Sequence, residues 1–283
     1  MKATIALLLL TATASAEPHV LLDRGAGERT FRLRFEAQNP GAEPLAASFV
    51  ALVPSRGCGS LVRLVSSHPG ELDEVGGSVA ATVHVGELPP YGAAVVTLAA
   101  TLGDAPLGAP PAGVAGDDGD PIIDAALADR TIQELAEKAR RATARATADA
   151  AFDLVVARIT PAAFDPLPPD PVGALRSGRG DCSDMAAALV AVCRAAGVPA
   201  RYVGGWRVSG SAVLDPARYH NWAEVGEGWT PMDPHGSERA PQPETCLVAA
   251  VGAAPTVTGG SPRFRPLSPG LVVKAMAPKE GTR

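Results

Sequence analysis

Gly178-Arg179-Gly180-Asp181-Cys182-Ser183-Asp184-Met185-Ala186-Ala187-Ala188-Leu189-Val190-Ala191-Val192-Cys193-Arg194-Ala195-Ala196-Gly197-Val198-Pro199-Ala200-Arg201-Tyr202-Val203 reads as one turn, one helix and the start of one strand. Small residues make the turn. The helix is amphipathic, with Met185, Ala186, Leu189, Val192 and Cys193 on its buried stripe. Gly197 stops it and Pro199 prevents its return, so Arg201-Tyr202-Val203 leaves as a strand. Cys182 thereby falls at a helix N-terminus. Free N–H groups and the positive dipole end favour a thiolate over a thiol there.

Working outward, two further blocks follow. Tyr219-His220-Asn221-Trp222-Ala223-Glu224 supplies an imidazole, and Trp229-Thr230-Pro231-Met232-Asp233-Pro234 supplies an acid. Gly226-Glu227-Gly228 between them is a tight hairpin turn, which pairs the two blocks as strands and carries His220 and Asp233 toward one place. A cysteine, a histidine and an acid in that order fit a thiol-nucleophile triad. An imidazole raises a thiol's reactivity by taking its proton, and a carboxylate on the far nitrogen holds the imidazole in one tautomer. The backbone N–H of Cys182 is a natural oxyanion donor. Trp206 or a residue of the loop from Pro161 to Pro171 would supply a second, and Trp222 either shapes the site or packs. Glu224 shares a strand face with His220 and Trp222, where a salt bridge is its simpler use, and His235 is a loop residue at the rim.

Taken singly, each group has a plainer role: a buried small thiol, a structural histidine, a turn aspartate before proline. A zinc site built from Cys182, Cys193, His220 and His235 lacks paired-ligand spacing. Cys193 is three turns, or ~16 Å, along the same helix from Cys182, so these two cannot form a disulfide without destroying it. Cys58 and Cys246 remain as a disulfide pair or as two free thiols, since connectivity is not readable from sequence.

Hydrophobic residues make up 46% of the 283-residue chain and charged ones 19%, enough to build a core and too apolar for disorder. Aromatics are only 4%, so Ala, Val and Leu must carry the packing. The net charge of −5, with no Lys/Arg stripe, argues against nucleic acid as a partner. Met1-Lys2, the apolar run from Ile5 to Leu10 and Ala14-Ser15-Ala16 together read as a signal peptide over 1–16, cleaved near Ala16. That expectation places the mature protein outside the cytoplasm, secreted or periplasmic. The run is too short for a comfortable membrane span, and no other segment suggests one.

Residues 17–102 read as an all-β, sandwich-like domain. Phe31, Leu33, Phe35 and Ala37 alternate with Arg32, Arg34 and Glu36, and further strands are expected at 48–53, 79–85 and 93–102. Gly, Pro and Ala over 103–120, ending in Asp117-Asp118-Gly119-Asp120, make a linker, because the spaced ligands of a calcium loop are missing. From residue 121 the period turns helical. A first short turn is expected at 121–127, and helices after a Thr131 cap, with Glu134 as its capping-box partner, and at 148–159, ahead of the Cys182 helix. Strands at 222–225, 229–232, 246–251 and 271–276 complete a second, α+β domain over 121–283.

The turn and helix at Cys182 with its Gly-Val-Pro-Ala-Arg exit, the His220-x-Trp222-x-Glu224 block and the Pro231-x-Asp233-Pro234 block resemble the three motifs of the transglutaminase-like superfamily, the closest match running from 170 to 236. The resemblance implies a papain-like core of helices packed on an antiparallel sheet. It makes Cys182 the nucleophile, His220 its base and Asp233 the orienting acid, with a protein or peptide substrate and no organic cofactor or metal. It implies thiol acyl chemistry rather than one reaction. The acyl group goes to water in an amidase or peptidase, or to an amine in a crosslinking enzyme, and some members are silent binding modules. Exported bacterial members of this simple kind place hydrolysis first. Two positions depart from the family: Ile159-Thr160-Pro161 stands where an aromatic often precedes the loop, and Asn221 where a small residue is commoner.

Overall fold

Alternation builds the first half. In the computed structural model, which describes residues 18–57, 59–75, 77–103, 120–165, 167–242, 245–252 and 263–278, Phe31, Leu33, Phe35 and Ala37 all point inward. The expected signal segment, Cys58, the linker apart from its two end residues and the last residues from Lys279 lie outside the described residues. Among the described residues eight strands precede the helices: β1 (His19–Asp23), β2 (Arg29–Gln38), β3 (Leu45–Val53), β4 (Arg56–Gly57), β5 (Gly59–Ser66), β6 (Gly70–Val75), β7 (Ser78–Leu88) and β8 (Ala93–Gly103). β2 pairs antiparallel with β8 along its length, from Arg29↔Leu102 to Gln38↔Ala93. β3 pairs with β7, and β7 with β6, in a second sheet. Phe31, Phe35, Phe49, Leu64 and Leu98 fill the space between them.

The helical part follows: α1 (Pro121–Leu127), α2 (Arg130–Ala139), α3 (Ala144–Arg158), the short β9 (Thr160–Pro161), α4 (Pro171–Ser177), β10 (Arg179–Gly180) and α5 (Cys182–Ala195). The cap of α2 is Asp129, which accepts the N–H of Thr131 at 2.8 Å, in place of the expected Thr131; Glu134 pairs with Arg130 instead of closing a capping box. α5 is more buried than an amphipathic reading implies. Every residue from Met185 to Cys193 is inside, because α1 to α4 surround it on one side and the sheet covers the other. A helix covered all round must be apolar all round. The Ala186-Ala187-Ala188 run lets its neighbours approach closely.

Seven strands follow among the described residues: β11 (Ala200–Arg207), β12 (Ala212–Val213), β13 (His220–Val225), β14 (Thr230–Met232), β15 (Cys246–Val251), β16 (Phe264–Pro266) and β17 (Val272–Ala275). The fold is α+β with mainly antiparallel sheets. One sheet runs through both halves in the order β12-β2-β8-β5-β4-β15-β11-β13-β14. The last two strands cross back: β16 pairs with β3 and β17 with β2. Strands from the end of the chain therefore complete the N-terminal sandwich, and β4–β15 pairing joins it to the sheet beneath α5. No helix among the described residues is long and apolar enough to cross a membrane.

Candidate active site

The turn into α5 is built from carboxylates. Gly178 ends α4 in the left-handed region at φ 73°, and Arg179-Gly180 then pairs in parallel with Thr160-Pro161. Asp181 caps α5: its Oδ1 accepts the N–H of Ser183 at 2.8 Å and of Asp184 at 3.1 Å. Asp184 Oδ2 accepts the N–H of Asp181 in return at 3.1 Å, a reciprocal capping box. The preceding loop is tied down by the same two side chains, since Asp165 N–H donates to Asp181 Oδ2 (2.9 Å) and Asp170 N–H to Asp184 Oδ1 (2.8 Å). The cap consumes the second and third N–H groups of the helix. Among the described residues no acceptor meets the first, that of Cys182 itself.

His220 opens β13, and Asp233 follows directly on β14. The two strands form the expected hairpin, with Ala223 opposite Met232 and Trp229 N–H bonded to Gly226 carbonyl at 3.0 Å. This brings His220 Nε2 to 2.8 Å from Asp233 Oδ2. Asp233 is 4% exposed and its other oxygen accepts Gly236 N–H at 3.0 Å. Burial alone would lower the His220 pKa, but side-chain hydrogen bonds to Asp233 and Cys182, with the negative charge of each, push it up to about 9. Burial works to raise the Asp233 pKa, and the bond to His220 and that residue's charge win, holding it below the usual carboxylate range. His220 is thus bonded to the carboxyl, and with its pKa pushed up to about 9 it carries a proton at neutral pH. His235 meets the His220 ring edge-on at 5.6 Å and Trp222 lies beside it at 6.4 Å, nearly parallel.

The sequence profile of the transglutaminase-like superfamily matches residues 125–234, from α1 through Asp233. Those residues belong to the transglutaminase-like superfamily. A solved structure of a candidate cysteine protease from Cytophaga hutchinsonii superposes with a TM-score of 0.51 over 89% of this chain and 91% of that one, at 16% identity, and so shares the fold. A candidate protease from Parabacteroides distasonis aligns over 79% of this chain and 48% of that one at 11% identity, with a TM-score of only 0.33. Among curated proteins no sequence matches.

Not every expected residue of the transglutaminase-like site serves it. Trp206 is 4% exposed and belongs to the sandwich core, packed edge-on against Tyr219 at 5.1 Å. Its indole N–H donates to Asp215 carbonyl at 2.9 Å, so this side chain is not an oxyanion donor. The loop alternative is also largely committed, with the N–H groups of Ala162, Asp165, Leu167 and Asp170 all donated. Trp222 flanks His220 but packs with Val203, Cys246, Val248 and Val251 on the sheet face away from α5. Glu224 is structural: Arg56 Nη1 donates to it at 2.8 Å, and Arg201 Nε and Nη2 at 2.7 and 2.6 Å. Arg201 is itself capped by the Trp229 ring at 4.0 Å. Cys182, Cys193 and Cys246 carry free thiols, and burial raises Cys193 to about 12 and Cys246 to about 11, away from nucleophilic use. The residue that the sequence did not assign is Asn221, whose Nδ2 sits 3.5 Å from Cys182 Sγ. Its only signal was being polar where a small residue is commoner.

Proposed function

We propose that the protein is an exported thiol hydrolase, a cysteine peptidase or amidase working through Cys182, His220 and Asp233. The observation that carries this reading is one imidazole held by a buried carboxylate at 2.8 Å, with Asp233 and Cys182 together pushing its pKa up to about 9. Such an imidazole is charged at neutral pH and stabilises a thiolate beside it.

The sulfur adds to a substrate carbonyl carbon, and the C=O π pair moves onto oxygen. The first α5 N–H, left open by the cap, faces that developing charge. Collapse re-forms the carbonyl and breaks the C–N bond. The amine leaves with the bonding pair and takes the His220 proton. Neutral His220 then takes a proton from water as the water oxygen bonds to the thioester carbon, and collapse breaks the C–S bond. The acid leaves, and thiolate and imidazolium are restored. Asp233 holds the ring by Nε2 throughout and does not change protonation.

The test is brief iodoacetamide treatment of the mature protein across pH, read by mass spectrometry, beside Cys182→Ala and His220→Ala. Expected is preferential alkylation of Cys182 over Cys193 and Cys246, persisting at neutral pH and lost on the order of 10²-fold without His220. An inert Cys182 would make the chain a silent transglutaminase-like module. Release of acid from peptide and ester probes supports hydrolysis, whereas an amide formed with added amine would point to acyl transfer.

A further inference from the structure

We infer that the side-chain amide of Asn221 is the second oxyanion donor of this site, which makes Asn221 a catalytic residue of the reaction proposed above; the inference rests on that reading. Asn221 is 6% exposed, and its Nδ2 lies 3.5 Å from the sulfur. A carbonyl oxygen whose carbon is bonded to Sγ stands one bond further out. A donor at that position reaches it within the ~2.7–3.1 Å that such stabilisation needs.

The placement follows from strand parity. His220 and Asn221 are consecutive in β13 and so point to opposite faces. Asn221 shares its face with Ala223 and Val225, which pack in the α5 core, while Trp222 packs on the other. His220 and Asn221 therefore approach the same thiol from different sides, one as proton carrier and one as donor.

The amide is also held there. Across the ladder Asn221 faces Gly204 of β11. A Cβ at Gly204 would stand 2.8 Å from Asn221 Oδ1 and 2.1 Å from the Tyr219 hydroxyl. The missing side chain makes the room in which the amide and the phenol lie against the strand, with the Asn oxygen toward the backbone and its NH₂ toward sulfur. The two indole donors are elsewhere. Trp206 is committed to Asp215, and Trp222 Nε1 is sealed from solvent on the face away from α5.

In this reaction the electron pair of the carbonyl π bond moves onto oxygen, and the open N–H of Cys182 and Nδ2 of Asn221 together donate hydrogen bonds to that oxyanion. The pair returns to carbon when the leaving group departs, so neither donor gains or loses a proton.

Two rates on the same sulfur separate this role from general support of the thiolate. Acetylation of Cys182 by p-nitrophenyl acetate builds an oxyanion, and alkylation by iodoacetamide does not. In Asn221→Ala, acetylation is expected to fall on the order of 10²-fold relative to alkylation. Asn221→Leu keeps the volume without a donor and should behave alike, which covers the case in which the alanine variant fails to melt cooperatively. Gly204→Ala, by displacing the amide, should shift the ratio in the same direction. An unchanged ratio in both Asn221 variants overturns the inference while leaving the thiol reading intact. If native Cys182 is alkylated no faster than Cys246, the underlying reading fails and the role of Asn221 falls with it.

Discussion

Among the described residues of the N-terminal sandwich, the buried polar side chains are Asn39, Ser66 and Ser78; from residue 120 onward they are Asp120, Thr147, Asp181, Ser183, Arg201, Asn221, Glu224 and Asp233. The first group serves the backbone. Asn39 Nδ2 donates to the carbonyls of Glu43, Leu88 and Pro89, and Ser78 Oγ accepts Val251 N–H at 2.9 Å. Much of the second group serves other side chains: Asn221 reaches Cys182, Asp233 reaches His220, and Glu224 holds two arginines. Buried polar groups that finish secondary structure mark a scaffold. Buried polar groups that converge on a thiol and an imidazole mark a place where desolvation is tolerated for chemistry. Both cores pack mainly on alanines, leucines and valines; the sandwich adds Phe31, Phe35 and Phe49, and the core of α5 adds Phe152.

The shared sheet ties these unlike halves into one body, and Glu224 is where that can be broken. Glu224→Ala leaves Arg201, 3% exposed, without its carboxylate, and should lower stability by about 3–5 kcal/mol. Because Arg56 comes from the sandwich, hydrogen exchange should accelerate in β2 and β8 as well as in α5. Two separate unfolding transitions, with the sandwich unaffected, would show that the halves stand independently.

A smaller effect, confined to the site half, is expected with pH. The folded pKa of His220 lies at about 9, above the ordinary histidine value of 6.5. Its stabilisation is therefore complete below about 6.5 and is lost as pH rises through about 9. Thermal denaturation should show the melting temperature of the native protein falling across that window, and His220→Ala should flatten the fall. An identical slope in the variant would mean that the imidazole is not held as described.

The least effect should come from Trp206→Phe. It removes one hydrogen bond, to Asp215, at a cost of about 1 kcal/mol, and the alkylation rate of Cys182 should not change. A large loss of Cys182 reactivity would return Trp206 to the site.

What was legible and what was not has a common cause. The Cys182 helix was readable because its stop and its apolar content are local features, and β2 because each inward residue is followed by an outward one. β5 was not, because a bulge between Leu61 and Arg63 shifts its register against β8 and breaks the alternation. β6, Gly70–Val75, is a polar edge strand with no buried residue to set a period. Trp206 was misassigned because a tryptophan beside a catalytic-looking strand is chemically open until its N–H finds a partner, and that partner lies nine positions away, in a loop.

The sequence by itself determined that a cysteine begins a helix, that a hairpin carries a histidine and an aspartate, and that an alternating β half precedes them. Each of these depends on neighbours along the chain, through φ preferences, capping and strand parity. Only the tertiary structure decided that one sheet runs through both halves, that β16 and β17 return to the sandwich, and that Asn221 comes to the sulfur across the space left by Gly204. Those are contacts between residues far apart in the chain. Their energies come from burial and from approach distances of a few ångströms, which local order along the sequence does not encode.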